Sequence, residues 1–320
     1  MTFCGFDSNV FLAPMAGITD RPMRTILSGC GGGNLITEMA AVNAIQRKNP
    51  KSYQIANVKD EPYPVVVQLV GNDPQLFADA AKLVSELGAK SIDINMGCPV
   101  KKIVSNNSGS ALMRDPVLAS KIIESTVKAT PLKVSVKFRK GWDMDHVNAV
   151  EFAKMCEESG ASYVTVHGRT KSQGYSGEAD WNIIGEVKAA VKIPVIGNGD
   201  ITSEQIAAQR INQYGVDGVM IGRAILGNPW LLNRICHYLR CGEILPSPST
   251  QDIKNTLLKH LNLLVDYYGE RAGVAISRKH IGWYVKSFYE AKKFREQYTK
   301  LNTLKETTDL INEYFLRIEQ

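Results

Sequence analysis

The residues best suited to redox and proton chemistry in this chain stand where short apolar runs end. Cys98 closes Asn95-Met96-Gly97-Cys98-Pro99, directly after the alternating run Ser91-Ile92-Asp93-Ile94. That run reads as a buried strand. Gly97 and Pro99 turn the backbone out of it, so the thiol sits just beyond a strand's carboxyl end and can be aimed at a pocket. A thiol with an ordinary pKa of about 8.5 is mostly protonated at neutral pH and can act as an acid. The plainer role for a free cysteine is a small buried hydrophobe. Other run ends carry Pro14-Met15-Ala16, Glu38-Met39, Gln68, Lys137 with Arg139, His167 with Arg169, Asn198-Gly199-Asp200 and Gly222-Arg223. Each alone has a bland reading, a surface lysine or a satisfied core histidine, but the coincidence of so many polar ends argues for one site.

These ends need a scaffold that brings them to a single rim. Strand-like runs occur at Val10–Ala13, Leu35–Thr37, Val65–Val70, Ser91–Asn95, Lys133–Lys137, Tyr163–Val166, Pro194–Ile196 and Gly218–Ile221. Between most of them lie helix-period segments: Pro74–Leu87, Pro116–Ala129, Asp145–Ser159, Trp181–Val191 and Ser203–Tyr214. Gly88, Gly160 and Gly215 follow three of these helices, as a left-handed stop does. Eight strands alternating with helices predict an α/β fold, a (β/α)8 TIM barrel, with a doubly wound sheet as the alternative. Barrel sites are built at the carboxyl ends of the strands, and the seventh and eighth loops commonly cradle phosphate. Gly197-Asn198-Gly199-Asp200 and Gly222-Arg223-Ala224 are small-residue turns suited to that, with Arg223 as a clamp; plain turn chemistry is the alternative. A phosphate there, an apolar Pro14-Met15 floor, Gln68 as donor and acceptor, and Lys137 and His167 as cations or donors suit flavin mononucleotide (FMN), because a lysine stabilises the charge of a reduced flavin. Gly29-Cys30-Gly31-Gly32-Gly33 precedes a strand instead of following one, so it reads as a turn and not as a dinucleotide fingerprint.

Composition bounds the class. The 320 residues, 44% hydrophobic and 22% charged, describe a globular protein able to bury a large core. Six cysteines without a CxxC pair indicate a reducing compartment and no structural zinc. No signal peptide or membrane span is expected, which places the chain in the cytoplasm. Gly242–Ser249, with two prolines, reads as a linker. Beyond it Gln251–Gly269, Ile276–Tyr298 and Thr303–Ile318 read as helices. The expected organisation is a barrel domain over residues 1–244 and an all-helical domain over 245–320.

Residues 271–300 hold eight Lys/Arg and two Asp/Glu, a local +6 that equals the net charge of the whole chain. Lys279, Lys286, Lys293 and Lys300 recur every seven residues, which on one helix forms a stripe about 31 Å long. Aromatic residues interleave with it. A solvated basic face over an aromatic core and a surface that tracks a nucleic-acid backbone are both consistent with this pattern.

Four motifs then share one resemblance: Ala13-Pro14-Met15-Ala16-Gly17-Ile18-Thr19-Asp20, Asp93-Ile94-Asn95-Met96-Gly97-Cys98-Pro99, His167-Gly168-Arg169-Thr170 and Asn198-Gly199-Asp200-Ile201. Together with Arg278-Lys279-His280-Ile281-Gly282-Trp283-Tyr284, the chain resembles the tRNA-dihydrouridine synthases, most closely the bacterial B-type branch. The resemblance implies a flavin barrel with a C-terminal helical domain, NADPH as a transient electron donor and a D-loop uridine of tRNA as substrate. It implies hydride transfer from reduced FMN to C6 of uracil and protonation of C5 by Cys98. Asn95 would position the uracil. Pro14, Met15, Ala16, Gln68, Lys137, His167, Asn198, Gly199, Asp200, Gly222 and Arg223 would hold the flavin. Arg139, Arg169, Lys101 and Lys102 would face the substrate, and Arg278, Lys279 and Lys286 would grip the RNA of a target base drawn out of its stack. Gly197 replaces a common alanine of related sequences, and Lys140 replaces a smaller polar residue. The chain is expected to work as a monomer without an obligate protein partner. A flavin barrel acting on a small free pyrimidine is the rival reading, and it needs no basic helical tail. A non-catalytic tRNA-binding protein that retains a flavin is a second rival, but binding alone needs no Cys98.

Overall fold

The structure, a computed structural model, describes residues 5–318. Eight parallel strands, Val10–Leu12 (β1), Leu35–Ala41 (β2), Val65–Val70 (β3), Ser91–Met96 (β4), Val134–Arg139 (β5), Tyr163–His167 (β6), Val195–Asn198 (β7) and Gly218–Ile221 (β8), pair in the order β1-β8-β7-β6-β5-β4-β3-β2. β1 and β2 come together through one bridge, Phe11 to Asn34. Asn34 makes that seam with its backbone, to Val10 and Leu12, and with its side-chain amide, to the Ser8 and Val10 carbonyls. The result is a nearly closed TIM barrel with helices between its strands, as the sequence pattern predicts.

The chain divides into two compact units. One holds residues up to Asp20 with Gly33–Gly222, which carry all eight strands, and the other holds Arg21–Gly32 with the chain from Arg223 onward. Arg21–Gly29 (α1) therefore belongs to the second unit, although it joins β1 to β2. In the barrel unit the helices are Val42–Gln46 (α2), Pro50–Ala56 (α3), Pro74–Glu86 (α4), Lys101–Val104 (α5), Pro116–Ala129 (α6), Ala149–Glu158 (α7), Trp181–Ala190 (α8) and Glu204–Tyr214 (α9). Asp73, Asp115, Asp180 and Ser203 cap α4, α6, α8 and α9, their side chains accepting first-turn N–H groups. Gly88, Gly160 and Gly215 take positive φ after α4, α7 and α9, as expected of the stops. α7 starts four residues later than the periodicity indicates. Asp143 draws the His146 N–H into a turn, and Gly141 bridges Val147, so the chain is committed before Ala149.

Alternation sorts the barrel interior into layers. Phe6, Phe11, Ala13, Ile36, Val66, Tyr163, Ile196 and Met220 form an apolar plug. Gln68, Asp93 and Ser135 are register partners on β3, β4 and β5, with Tyr163 of the plug beside Ser135, and Asn95, Lys137 and Thr165 are register partners on β4, β5 and β6, with Ile196 of the plug beside Thr165. Glu38 lies inside β2, not at its end, where the pairing with β3 is irregular between Ile36 and Met39.

The second unit contains α1, Leu231–Cys241 (α10), Thr250–Tyr268 (α11), Glu270–Tyr284 (α12), Ala291–Tyr298 (α13) and Leu304–Ile318 (α14). Residues 243–249, within the segment read as a linker, are neither helix nor strand. Leu257, Leu261, Val274, Ile281, Tyr284, Phe294, Tyr298, Ile311, Tyr314 and Phe315 form its core. One correction is required: 276–298 is not one helix. Glu290 adopts φ 52°, a left-handed conformation that an α-helix cannot contain, and the Tyr314 hydroxyl donates to the Tyr289 carbonyl at 2.7 Å to hold the turn. Periodicity missed this break because core-facing aromatics continue on both sides of it.

Gly197 has no room for a side chain: a Cβ there would lie 2.4 Å from Cζ3 of Trp181. Gly197→Ala is expected to lower stability by about 1–3 kcal/mol in urea unfolding, because the buried indole has to move.

Candidate active site at the carboxyl ends of the strands

Cys98 is half-buried on the loop after β4. Its N–H donates to Asn95 Oδ1 at 2.9 Å, and the Gly97 N–H donates to the same oxygen at 3.2 Å, so one side chain of the strand fixes the turn that carries the thiol. Behind the turn Gly109, at φ +61°, lies so close that a Cβ would stand 2.9 Å from the Cys98 carbonyl. Burial pushes the Cys98 thiol up from its ordinary value, and this outweighs the opposing influence of the Val100 backbone hydrogen bond, Arg139 and Lys137. The thiol therefore keeps its proton at neutral pH.

Beneath Cys98 the side chains of three strands join. Asn95 Nδ2 donates to Gln68 Oε1 at 2.9 Å, Gln68 Nε2 donates to Asp93 Oδ2 at 2.6 Å, and Ser135 Oγ donates to Asp93 Oδ1 at 2.6 Å. Burial raises the Asp93 pKa to about 6, against the Ser135 and Gln68 hydrogen bonds and the charge of Lys137. Burial and the Arg139 charge lower Lys137 to about 8, while Asp93 and Cys98 pull it back up. Lys137 Nζ donates to Asn198 Oδ1 at 3.1 Å, and Asn198 Nδ2 donates to the Met220 carbonyl at 2.8 Å, which ties β5, β7 and β8 together at the rim.

The two arginines expected to face substrate are buried and engaged. Arg139 donates through Nε to the Gly97 carbonyl and through one Nη to the Thr170 and Gly174 carbonyls, each at 2.9 Å, so it ties the Cys98 turn to the loop after β6. Arg169 pairs with Asp200 at 2.8 Å and donates to the Ser176 and Gly177 carbonyls. Asp200 also accepts from the Ala179 N–H, and the Trp181 indole donates to the Gly199 carbonyl. The Gly199-Asp200 turn is thus held from its side-chain side. Gly199 has φ +136°, and a Cβ on it would strike Ala179. Pro14 and Met15 are half-buried and Ala16 is exposed; Thr19 holds their turn by accepting the Met15 N–H. His167 is buried, with its ring 6.5 Å from Tyr175.

The sequence reading assigned no role to Asp93, Ser135 or Tyr175. Asp93 was visible as the charged residue in an apolar strand, a signal in itself. Tyr175, an exposed aromatic among glycines and serines, gave only a weak one.

Lys101 and Lys102 are exposed on α5. Arg223 is exposed and opens the second unit. In that unit Lys279 and Lys286 are exposed, whereas Arg278 is half-buried and donates to the Leu301 carbonyl and Asn302 Oδ1. The lysines at 279, 286, 293 and 300 do not form one helical stripe. They fall on α12, on the turn after it, on α13 and on the turn beyond, and Tyr284, Phe294 and Tyr298 between them are core.

A sequence profile of the family described as Dihydrouridine synthase (Dus) matches residues 11–319. The chain belongs to the dihydrouridine synthase family. It is 46% identical over 312 residues to a probable tRNA-dihydrouridine synthase of Rickettsia bellii, covering 97% of this chain and 96% of that protein. It is 43% identical over 306 residues to tRNA-dihydrouridine synthase B of Xanthomonas campestris, covering 96% and 92%. It is 42% identical over 309 residues to tRNA-dihydrouridine synthase B of Pseudomonas aeruginosa, covering 96% and 93%. Among solved structures it is similar in fold to histamine dehydrogenase from Rhizobium sp. 4-9, with a TM-score of 0.56, 14% identity and coverage of 80% of this chain and 49% of that one. No helix among the described residues is long and apolar enough to cross a membrane.

Two outcomes follow from this geometry. Arg139→Lys keeps the charge but cannot reach three carbonyls from one planar group; it is expected to cost about 2–3 kcal/mol and to increase proteolytic cleavage between residues 170 and 177. Alkylation of Cys98 by iodoacetamide is expected to rise with pH through a midpoint above that of an unperturbed thiol, since only the thiolate reacts.

Proposed function

We propose that this chain is a flavin-dependent tRNA-dihydrouridine synthase that reduces the C5–C6 bond of a D-loop uridine. The observation that carries the reading is the Cys98 thiol, kept protonated by burial and held by Asn95 at the mouth of a barrel whose rim is cationic. The residues present fit FMN. Thr165 Oγ1, on the rung of Lys137, is buried without a partner and can take a polar group entering from the mouth. Lys137 offers a positive charge there, and the Gly199 turn, held by Arg169 and Trp181, leaves its backbone to receive a phosphate.

The chemistry that a bound flavin supplies is a hydride for C6 of uracil, replenished from NADPH. Addition at C6 leaves enolate charge on the ring, and C5 must then receive a proton. Cys98 Sγ holds that proton, and water restores it to the resulting thiolate. Asn95 orients the pyrimidine edge and Lys137 steadies negative charge on the flavin side. Pro14, Met15, Ala16, Gln68, His167, Asn198, Asp200, Gly222 and Arg223 complete the proposed flavin contacts. Arg139 and Arg169 act by holding the loops that frame the substrate. Lys101, Lys102, Lys279, Lys286 and the region of Arg278 supply the RNA-facing surface, whose binding weakens as salt rises. In chain order the catalytic part runs to about residue 244, although residues 223–241 pack into the helical unit, and the enzyme works as a cytoplasmic monomer.

Purified protein is expected to show a flavin absorption spectrum and, with NADPH and unmodified tRNA, to form D-loop dihydrouridine. Cys98→Ala should lower that rate at least about 100-fold while flavin stays bound. Wild-type turnover by the variant would remove Cys98 from the chemistry, and turnover of free pyrimidines in place of tRNA would favour the small-pyrimidine reading.

A further inference from the structure

In the helical unit, three side chains with metal-ligand chemistry converge where α10 ends: His237, Cys241 and Glu243. His237 and Cys241 stand four residues apart on α10, which places them one turn apart on the same face. The His237 Nε2 and Cys241 Sγ atoms are 3.2 Å apart. Gly242 then takes φ 75°, the left-handed stop of the helix. The next residue, Glu243, folds back and sets its Oε2 3.7 Å from the same Nε2. One donor atom from each of the three lies within 4.8 Å of the other two. The Cys241 thiol also donates to the His237 carbonyl at 3.1 Å.

These are the dimensions of a zinc site. Zinc–ligand bonds of about 2.0–2.3 Å in a tetrahedron hold neighbouring donor atoms about 3.3–3.6 Å apart. The two contacts of Nε2 straddle that span. Thiolate and imidazole select zinc over magnesium and calcium, which prefer oxygen ligands. The negative end of the α10 dipole lies at this terminus and favours a cation. The His237 side chain is 23% exposed, so packing holds the ring, while Cys241 and Glu243 are open to solvent and can receive an ion. A search for CxxC pairs overlooks the arrangement, because its ligands are spaced His-x3-Cys-x-Glu.

We propose that His237, Cys241 and Glu243 form a surface site for one zinc ion, with the fourth position left to water. Binding forms a Zn–S bond where Cys241 carried its S–H bond, and the proton passes to solvent. His237 Nε2 and a Glu243 carboxylate oxygen supply the other lone pairs, and nothing is oxidised or reduced. Because α10 already places two of the three ligands, the ion is exchangeable and the helix does not need it to form. The site shares no residue with the barrel mouth, so it stands apart from the function proposed above.

The test is a Co2+ titration of the full-length protein, stripped of metal and with its thiols reduced, followed by displacement with Zn2+. The wild type is expected to bind one Co2+ with a thiolate-to-cobalt charge-transfer band that Zn2+ abolishes. The band should persist in Cys98→Ala and be lost in Cys241→Ser. Removing a hydrogen-bond partner of a metal ligand costs about 10–100-fold in affinity. His237→Gln and Glu243→Gln remove a ligand itself and should each weaken Co2+ binding at least about 10-fold. A wild type without the band, or a band that survives Cys241→Ser, overturns the proposal. Unchanged affinity in either ligand variant overturns it too, since a lone thiol would then be holding the ion adventitiously. If His237→Gln does not fold, Glu243→Gln, exposed and beyond the helix, decides in its place.

Discussion

A carboxylate inside a barrel is the constraint on which this site depends. Asp93 sits on β4 with almost no access to water, between Gln68 of β3 and Ser135 of β5. An unpartnered charge there would cost several kcal/mol. The structure surrounds it with two short hydrogen bonds and the charge of Lys137, two residues beyond Ser135 on the neighbouring strand. Each partner is itself tied onward: Gln68 to Asn95, and Lys137 to Asn198. The interior of the barrel mouth is therefore one connected polar network over an apolar plug, not a set of independent site residues.

The same economy of position explains the arginines. Guanidinium groups with five donors are suited to gathering carbonyls that loops leave unsatisfied. Arg139 joins the loops after β4 and β6, and Arg169 joins those after β6 and β7 through Asp200. Four successive strands thus share a rim whose loops cannot move separately. Such a rim is suited to holding reacting groups in fixed positions. In the helical unit, by contrast, the aromatic residues serve the core, and the positive charge is carried by exposed lysines spread over two helices and their turns.

Much was determined by the sequence alone. Apolar runs, helix periodicity and glycine stops are local signals, and they placed all eight strands, most barrel helices and the thiol beyond β4. The motif resemblance, spanning nearly the whole chain, fixed the family. Three things were decided only by tertiary structure, because each depends on residues distant in sequence. The turn at 285–290 needs Tyr314 to hold it, so periodicity ran through the break and drew one basic stripe where there are two helices. The work of Arg139 and Arg169 is invisible without the loops whose carbonyls they meet. The bonding of Asp93 to Gln68 and Ser135 depends on strand register, which sets the three side by side. Sequence names the donors and acceptors; only the packed barrel decides which way each of them points.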